Sequence, residues 1–216
     1  MTGVNIYGAS ASKVLAYAGN TIGAAQIEGG GNLANSTWYY VYARNNSGTI
    51  AFEISTTAPD GPRAIKSGDA TRRYLGCFPT LSTGAPVPLR ASRGRYVYDV
   101  GGSALADMAV ITTGTATTYA SVPCSALVPP HSRVATLNVR GTLDAGGGVL
   151  ASAVEVQSYG STGALSHVLY NGAGPAFATL GAVFEVVLDS SQRAQYNVNG
   201  EGDAPAADIY VTGFCE

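Results

Sequence analysis

From Trp38 the sequence runs Trp-Tyr-Tyr-Val-Tyr, passes Asn45, Asn46, Ser47 and Gly48, and resumes with Ile50, Phe52 and Ile54 alternating with Ala51, Glu53 and Ser55. This pattern constrains the fold more than any other in the chain. Aromatic and β-branched residues suit a pleated, buried surface, while asparagine and glycine tolerate the positive φ of tight turns. The stretch therefore reads as a β-hairpin turning at residues 45–48. Its second strand has one apolar and one polar face. The first strand, with Trp38, Tyr40 and Tyr42 on one side and Tyr39 and Val41 on the other, is apolar on both, so both sides need cover.

The second half of the chain continues in the same manner. Runs at residues 105–112, 115–122, 133–143, 149–159, 166–170, 182–188, 194–198 and 208–214 are separated by glycine- and proline-rich punctuation. In the third run, Val134, Thr136 and Asn138 alternate with Ala135, Leu137 and Val139. Short strands at this spacing predict an all-β protein, an antiparallel β-sandwich or jelly roll. The first 35 residues are read as a strand or irregular segment that leads into the main domain or attaches the chain to a partner, since Gly19, Gly23 and Gly29 to Gly31 break any long helix begun at Val14, Leu15, Tyr17 and Ala18. Residues 36–216 are read as the sandwich body, with a possible internal boundary at Gly101–Gly102.

Beyond the hairpin, the order of pieces is informative: Ile54-Ser-Thr-Thr-Ala-Pro, a Pro/Gly-rich loop, then Arg72-Arg73-Tyr-Leu-Gly-Cys-Phe78. Over residues 36–100 this order resembles a module of bacteriophage and prophage virion appendage proteins, the tail-fibre, tail-tip and spike proteins that end in β-sandwiches. Where such proteins carry a Tyr/Lys-rich approach to the basic pair, this chain has Lys66-Ser-Gly-Asp-Ala-Thr71. The resemblance implies a non-enzymatic virion protein, often a homotrimer, that contacts other virion proteins and attaches a particle to a bacterial surface glycan. A structural virion component is the alternative, and a polysaccharide-degrading enzyme a more distant one.

Composition restricts the other function classes. Charged residues make up 12% of the 216, against roughly 25% in ordinary soluble domains, and the net charge is −2. No basic stripe favours nucleic acid. Local arginines at 72–73 and 90–95 are read as solvated strand edges, which charge protects from edge-to-edge pairing. Three cysteines, Cys77, Cys124 and Cys215, are too few and too irregular for a disulfide framework or a zinc site, and Cys77 and Cys215 are expected to pack as small apolar residues. No apolar run reaches the length of a membrane span, and Met1 to Gly8 lacks the pattern of a signal peptide. These features suit synthesis in a reducing compartment, and the resemblance implies a bacterial cytoplasm and release within a particle.

Chemistry-bearing residues are sparse. Glu53, Glu155 and Glu185 each fall within strand patterns, where solvent-facing positions are expected, and spacing brings no two acids together as glycoside hydrolysis requires. His131 and His167, the two histidines, accompany no nucleophile signature. The glycines of residues 144–148 lack the Lys-Ser/Thr of a phosphate loop and read as a turn. No catalytic residue, metal or cofactor is predicted. Thirteen tyrosines offer rigid apolar faces with a hydroxyl for recognition. Trp38, Tyr40, Tyr42, Ile50, Phe52 and Ile54 are assigned to packing. Tyr159, His167, Tyr170 and Asn171, beside the glycine-rich loops, are the candidates for receptor contact.

Overall fold

The computed structural model describes residues 5–6, 15–17, 20–22, 24–47, 49–61, 64–92, 94–99, 104–143, 152–162, 167–171, 178–199 and 205–216. Its regular elements are strands and short 3₁₀ turns, and every strand ladder is antiparallel. The chain divides into two compact units, Met1–Gly102 and Ser103–Glu216.

The strands of the first unit are β1 (Asn5–Ile6), β2 (Leu15–Tyr17), β3 (Asn20–Ile22), β4 (Trp38–Asn46), β5 (Thr49–Ser55), β6 (Ile65–Lys66), β7 (Asp69–Pro79), β8 (Leu89–Ser92) and β9 (Arg95–Tyr98). They form a sheet in the order β5-β4-β7-β6 and a series β9-β8-β1-β2-β3. In the segment read as strand or irregular, Leu15–Tyr17 forms β2, paired with β3. Four residues between glycine-rich stretches are too few to nucleate a helix, whereas a hairpin partner supplies the missing hydrogen bonds.

The β4–β5 hairpin forms in the expected place, pairing Val41 with Ile54 and Asn46 with Thr49. Asn45 and Asn46 remain in β4, so the turn is tighter than the 45–48 reading, and Ser47 takes the positive φ of 52°. Tyr39, Tyr40, Val41 and Tyr42 are all buried, which covers both faces of this strand in the single chain. Tyr39 stacks on Phe78 at 5.7 Å between centroids, and Tyr42 lies 5.9 Å from Tyr74. A bulge between Val41 and Tyr42, where the β7 partner steps from Gly76 to Tyr74, turns the strand locally.

Packing varies along β5. Ile54 is fully buried and Phe52 half-buried, but Ile50 is 71% exposed, and Trp38 at the start of β4 is half-buried. The assignment of Ile50 to packing is therefore corrected: it shares a face with Ile54 but lies beside the hairpin turn, beyond the residues that cover that face. Residues 24–37 secure the outer edge of β5 and the end of β7. Ile27 bridges Ile54 in parallel, and the Glu28 amide donates to the Ile54 carbonyl at 2.8 Å. Thr80 Oγ1 donates to the Ala34 carbonyl at 2.7 Å, and the Ala34 amide donates to the Tyr39 hydroxyl at the same distance.

The second unit contains β10 (Ala109–Gly114), β11 (Ala120–Pro123), β12 (Val134–Leu143), β13 (Ser152–Ser158), β14 (His167–Asn171), β15 (Ala178–Val187), β16 (Arg193–Asn199) and β17 (Ala206–Cys215). One sheet runs β15-β12-β17-β10 and the other β11-β16-β13-β14. Ala135, Leu137, Val139, Ile209 and Val211 bury the inner face of the first, and Val122, Val154, Val156, Ala194 and Val198 that of the second. This is a β-sandwich. At Gly114 the absent side chain admits the Tyr196 hydroxyl from the facing sheet; a Cβ there would overlap it.

Two strand boundaries of this unit differ from the sequence reading. The run expected to start at residue 105 begins as a 3₁₀ turn, Ala104–Met108, because β-branched residues begin only at Val110. Residues 115–119, read as strand, leave the ladders: β10 pairs with β17 and β11 with β16, so the chain changes sheets there. Cys77 and Cys124 are buried, while Cys215 is half-buried. Gly101–Gly102, read as a possible boundary, and residues 144–148, read as a turn, lie outside the described residues.

Candidate functional site

Charged side chains gather on one face of the β5-β4-β7-β6 sheet. Register places Glu53 opposite Tyr42 and Lys66 opposite Asp69, with Arg72 three residues further along β7. Lys66 Nζ, only 8% exposed, donates to Glu28 Oε1 at 2.6 Å and Glu53 Oε1 at 2.8 Å. Arg72 Nε donates to the other Glu53 oxygen at 3.0 Å, and its NH1 lies 3.4 Å from Asp69. Ser55 Oγ donates to Glu28 Oε2 and accepts from the Thr57 amide, and the Tyr42 hydroxyl donates to the Thr57 carbonyl at 2.7 Å.

Glu53, 12% exposed, is therefore not the solvent-facing residue expected from its strand position, and Arg72 lies on an interior strand rather than a solvated edge. The ammonium and guanidinium groups supply what sequence spacing could not show. Hydrogen bonding from Lys66 holds the Glu28 carboxyl below its ordinary range. For Glu53, burial acts upward, but the bonds from Lys66 and Arg72 outweigh it and the net direction is also down. Burial acts downward on Lys66, and its two carboxylate partners reverse the direction. Two carboxylates bridged by one cation thus both stay ionised, whereas a glycosidase pair needs one carboxyl kept protonated. The arrangement suits fastening residue 28 and the β6–β7 hairpin to β5.

The β11-β16-β13-β14 sheet carries a different polar face, opposite its valine layer. Along β13 and the turn that follows it lie Glu155, Gln157 and Tyr159; along β16 lie Asn197, Gln195 and Arg193. Tyr119, just before β11, is 40% exposed and donates from its hydroxyl to Glu155 Oε2 at 2.6 Å. That bond to a carboxylate, helped by burial, pushes the tyrosine pKa up to about 12. Tyr159 is 39% exposed, and its ring lies under Arg193, whose Cζ is 3.8 Å from the ring centroid. Asp189 holds that guanidinium at 2.8 Å and accepts the Ser191 and Arg193 amides, which fixes the stack from below.

Amides close the layer between the two tyrosines. Gln157 and Gln195 both donate to the Ser161 carbonyl, at 3.1 and 3.2 Å, and the Gly160 amide donates to Gln195. Each tyrosine is thereby held in one orientation while part of its surface faces solvent, which lowers the ordering cost of a contact.

Of the residues proposed for receptor contact, Tyr159 lies at the β13–β14 turn on this face. His167, Tyr170 and Asn171 belong to β14, the end strand of the sheet, with Tyr170 opposite Ala153, His167 opposite Val156 and Asn171 opposite Ser152. Their side chains lie outside the described residues. Val168, between them and opposite Glu155, is exposed. Tyr119 was missed because it fell inside a run read as continuous strand. Alternation of Val154 and Val156 with Glu155 and Gln157 was the signal that could have located the polar face.

Elsewhere in this unit, His131 Nε2 lies 2.7 Å from Glu216 Oε1. Burial pushes the Cys124 thiol up to about 12, so it stays protonated and unreactive near neutral pH. Glu185 is exposed on β15. Comparison of the sequence with protein-family models and with curated proteins finds no match.

Proposed function

We propose that this chain is a non-enzymatic spike or fibre protein of a phage-like virion that attaches the particle to a bacterial surface glycan. The observation that carries the reading is the polar face of the β11-β16-β13-β14 sheet, where Tyr119 and Tyr159 are partly exposed and individually fixed by Glu155 and Arg193. Rigid, partly exposed aromatic faces beside the Glu155 carboxylate match the alternating apolar and hydroxyl surfaces of a sugar chain. The resemblance of residues 36–100 to virion appendage modules and the charge-poor composition agree with it.

The homotrimer implied by that resemblance draws less support from β4 than the sequence suggested, since both faces of β4 are buried in one chain. In this reading the subunit contact uses β15, where Val183 and Val187 are exposed. Mass measurement in solution tests it: a trimer that Val183→Glu dissociates is expected, and a monomeric wild-type chain removes the trimer.

Attachment is tested by adding fluorescent purified chain to a panel of capsulated and capsule-stripped bacterial strains. Binding that disappears with the capsule, or with Tyr119→Ala and Tyr159→Ala, is expected. Failure to bind any strain or isolated surface polysaccharide, in a chain that still assembles into particles, leaves the structural virion component as the function. Release of new reducing ends from a polysaccharide contradicts the non-enzymatic part.

A further inference from the structure

On the polar face of the second unit, register sets Glu155 between Val168 of β14 and Asn197 of β16. Tyr119 stands one residue before Ala120, the partner of Tyr196, so it is level with Asn197, and its hydroxyl crosses that residue to reach Glu155 at 2.6 Å. Val168, Glu155 and Tyr119 thus form one row on one side of the sheet, with Val168 and Tyr119 both partly exposed. Building on the glycan reading above, we propose that this row holds an amino-bearing sugar unit, such as glucosamine. Its ammonium is taken by the Glu155 carboxylate while its ring lies against Tyr119 and Val168.

Charge motivates the choice of sugar. Among the described residues the Glu155 carboxylate receives the Tyr119 hydroxyl on Oε2 and pairs with no lysine, arginine or histidine. Arg193, on the same face, is already held by Asp189 and stacks on Tyr159. The whole unit leans the same way: Ser103–Glu216 contains nine acidic residues against three arginines, a formal charge of −6 with histidines neutral. A field of that sign draws cations and disfavours uronates. An ammonium at Glu155 gains a charge-assisted bond without displacing the phenol, which occupies one of the two carboxylate oxygens.

A second acceptor agrees. Gln157, two residues along the same face and 1% exposed, donates through Nε2 to the Ser161 carbonyl, while its Oε1 is shielded with no donor among the described residues. A shielded acceptor without a donor is costly. The unmet demand of this face is therefore for donors, which an amine and hydroxyls supply and a carboxylate does not.

The test is amide NMR of the full chain, isotopically labelled and titrated with a glucosamine trisaccharide, a glucose trisaccharide and a galacturonate trisaccharide. Saturable shifts at Tyr119, Glu155 and Val168 are expected with the glucosamine sugar, at an affinity about tenfold above that of the glucose sugar, the gain expected of a charge-assisted bond. Galacturonate should move none of these amides. Glu155→Gln keeps an acceptor for the Tyr119 hydroxyl and removes the charge, so it should abolish the preference for glucosamine over glucose. Asp107→Asn, at an exposed acid of the Ala104–Met108 turn, should leave that preference unchanged. Equal affinities of the glucosamine and glucose sugars for this row, or an undiminished preference in folded Glu155→Gln, overturn the proposal and leave the glycan reading standing. Shifts with none of the three sugars also overturn it, and adhesion of the chain to whole bacteria then judges the glycan reading by itself.

Discussion

The sheet β5-β4-β7-β6 and the sheet β11-β16-β13-β14 each have four strands and a polar face, and they organise that face in opposite ways. In the first, Glu28, Glu53, Lys66, Asp69 and Arg72 neutralise one another, and Lys66 is almost withdrawn from water. In the second, amides do most of the joining, and Glu155 and the Asp189-paired Arg193 each orient a tyrosine that remains partly exposed. A buried charge needs its partners fixed around it, which makes such a network unsuited to exchanging them for a ligand. Tethered aromatic rings over a layer of buried, hydrogen-bonded amides keep surface available at little desolvation cost. We therefore assign fastening to the first face and recognition to the second.

The contrast can be broken most forcefully at the core of the first sheet. Ile54→Ala should cost about 3 kcal/mol, as truncation of a fully buried aliphatic side chain does, while Ile50→Ala should stay within ~0.5 kcal/mol. Urea midpoints compare the two. Equal losses would mean that the turn end of the hairpin is covered as fully as its base.

Next in size is Lys66→Met, which leaves Glu28 and Glu53 without their shared cation. We expect a loss of about 2 kcal/mol, below the ~3–5 of a fully buried pair because Glu28 is half-exposed. The pH dependence gives the sign. Glu28 and Glu53 are held below the ordinary value of 4.5, so their contribution is present above that pH and lost as pH falls through their lowered values. Lys66 is held above 10.5, so its contribution is present below that pH and lost as pH rises through the raised value. The stability gap between wild type and Lys66→Met should therefore be widest between these limits and narrow outside both. A constant gap from acid to alkali would show that the ion pairs do not hold the sheet together.

Gly114→Ala should cost about 1–3 kcal/mol, because the new methyl group overlaps the Tyr196 hydroxyl between the sheets of the sandwich. Thermal melting checks it, and pairing the change with Tyr196→Phe should recover part of the loss. A small stability effect is expected on the recognition face too: Tyr119→Phe removes one exposed hydrogen bond to Glu155 and should cost less than ~1 kcal/mol. A loss as large as that of Lys66→Met would make this face a structural element too.

Which parts of this were legible depended on the range of the interaction. Alternation along one strand separated Ala135, Leu137 and Val139 from Val134, Thr136 and Asn138 as two faces, and aromatic runs around an Asn/Gly-containing turn predicted the β4–β5 pairing. Those are local properties. Ile50 and Ile54 look alike in sequence, and only the tertiary cover distinguishes them. The Lys66 network was hidden for a related reason: Lys66 and Glu28 are 38 residues apart, and residue 28 lay in the segment read as a lead-in. Tyr159 could be singled out because it adjoins a glycine turn, whereas Tyr119 acquires its role from Glu155, 36 residues away, once β16 lies between β11 and β13.

The division of labour is tested most directly by measuring adhesion and stability together in Tyr119→Ala with Tyr159→Ala, and in Lys66→Met, on a strain that binds the wild-type chain. The account predicts that the double tyrosine variant melts near wild type but no longer adheres, while Lys66→Met melts lower and, below its transition, adheres as well as wild type. Undiminished adhesion by the folded double variant would contradict it.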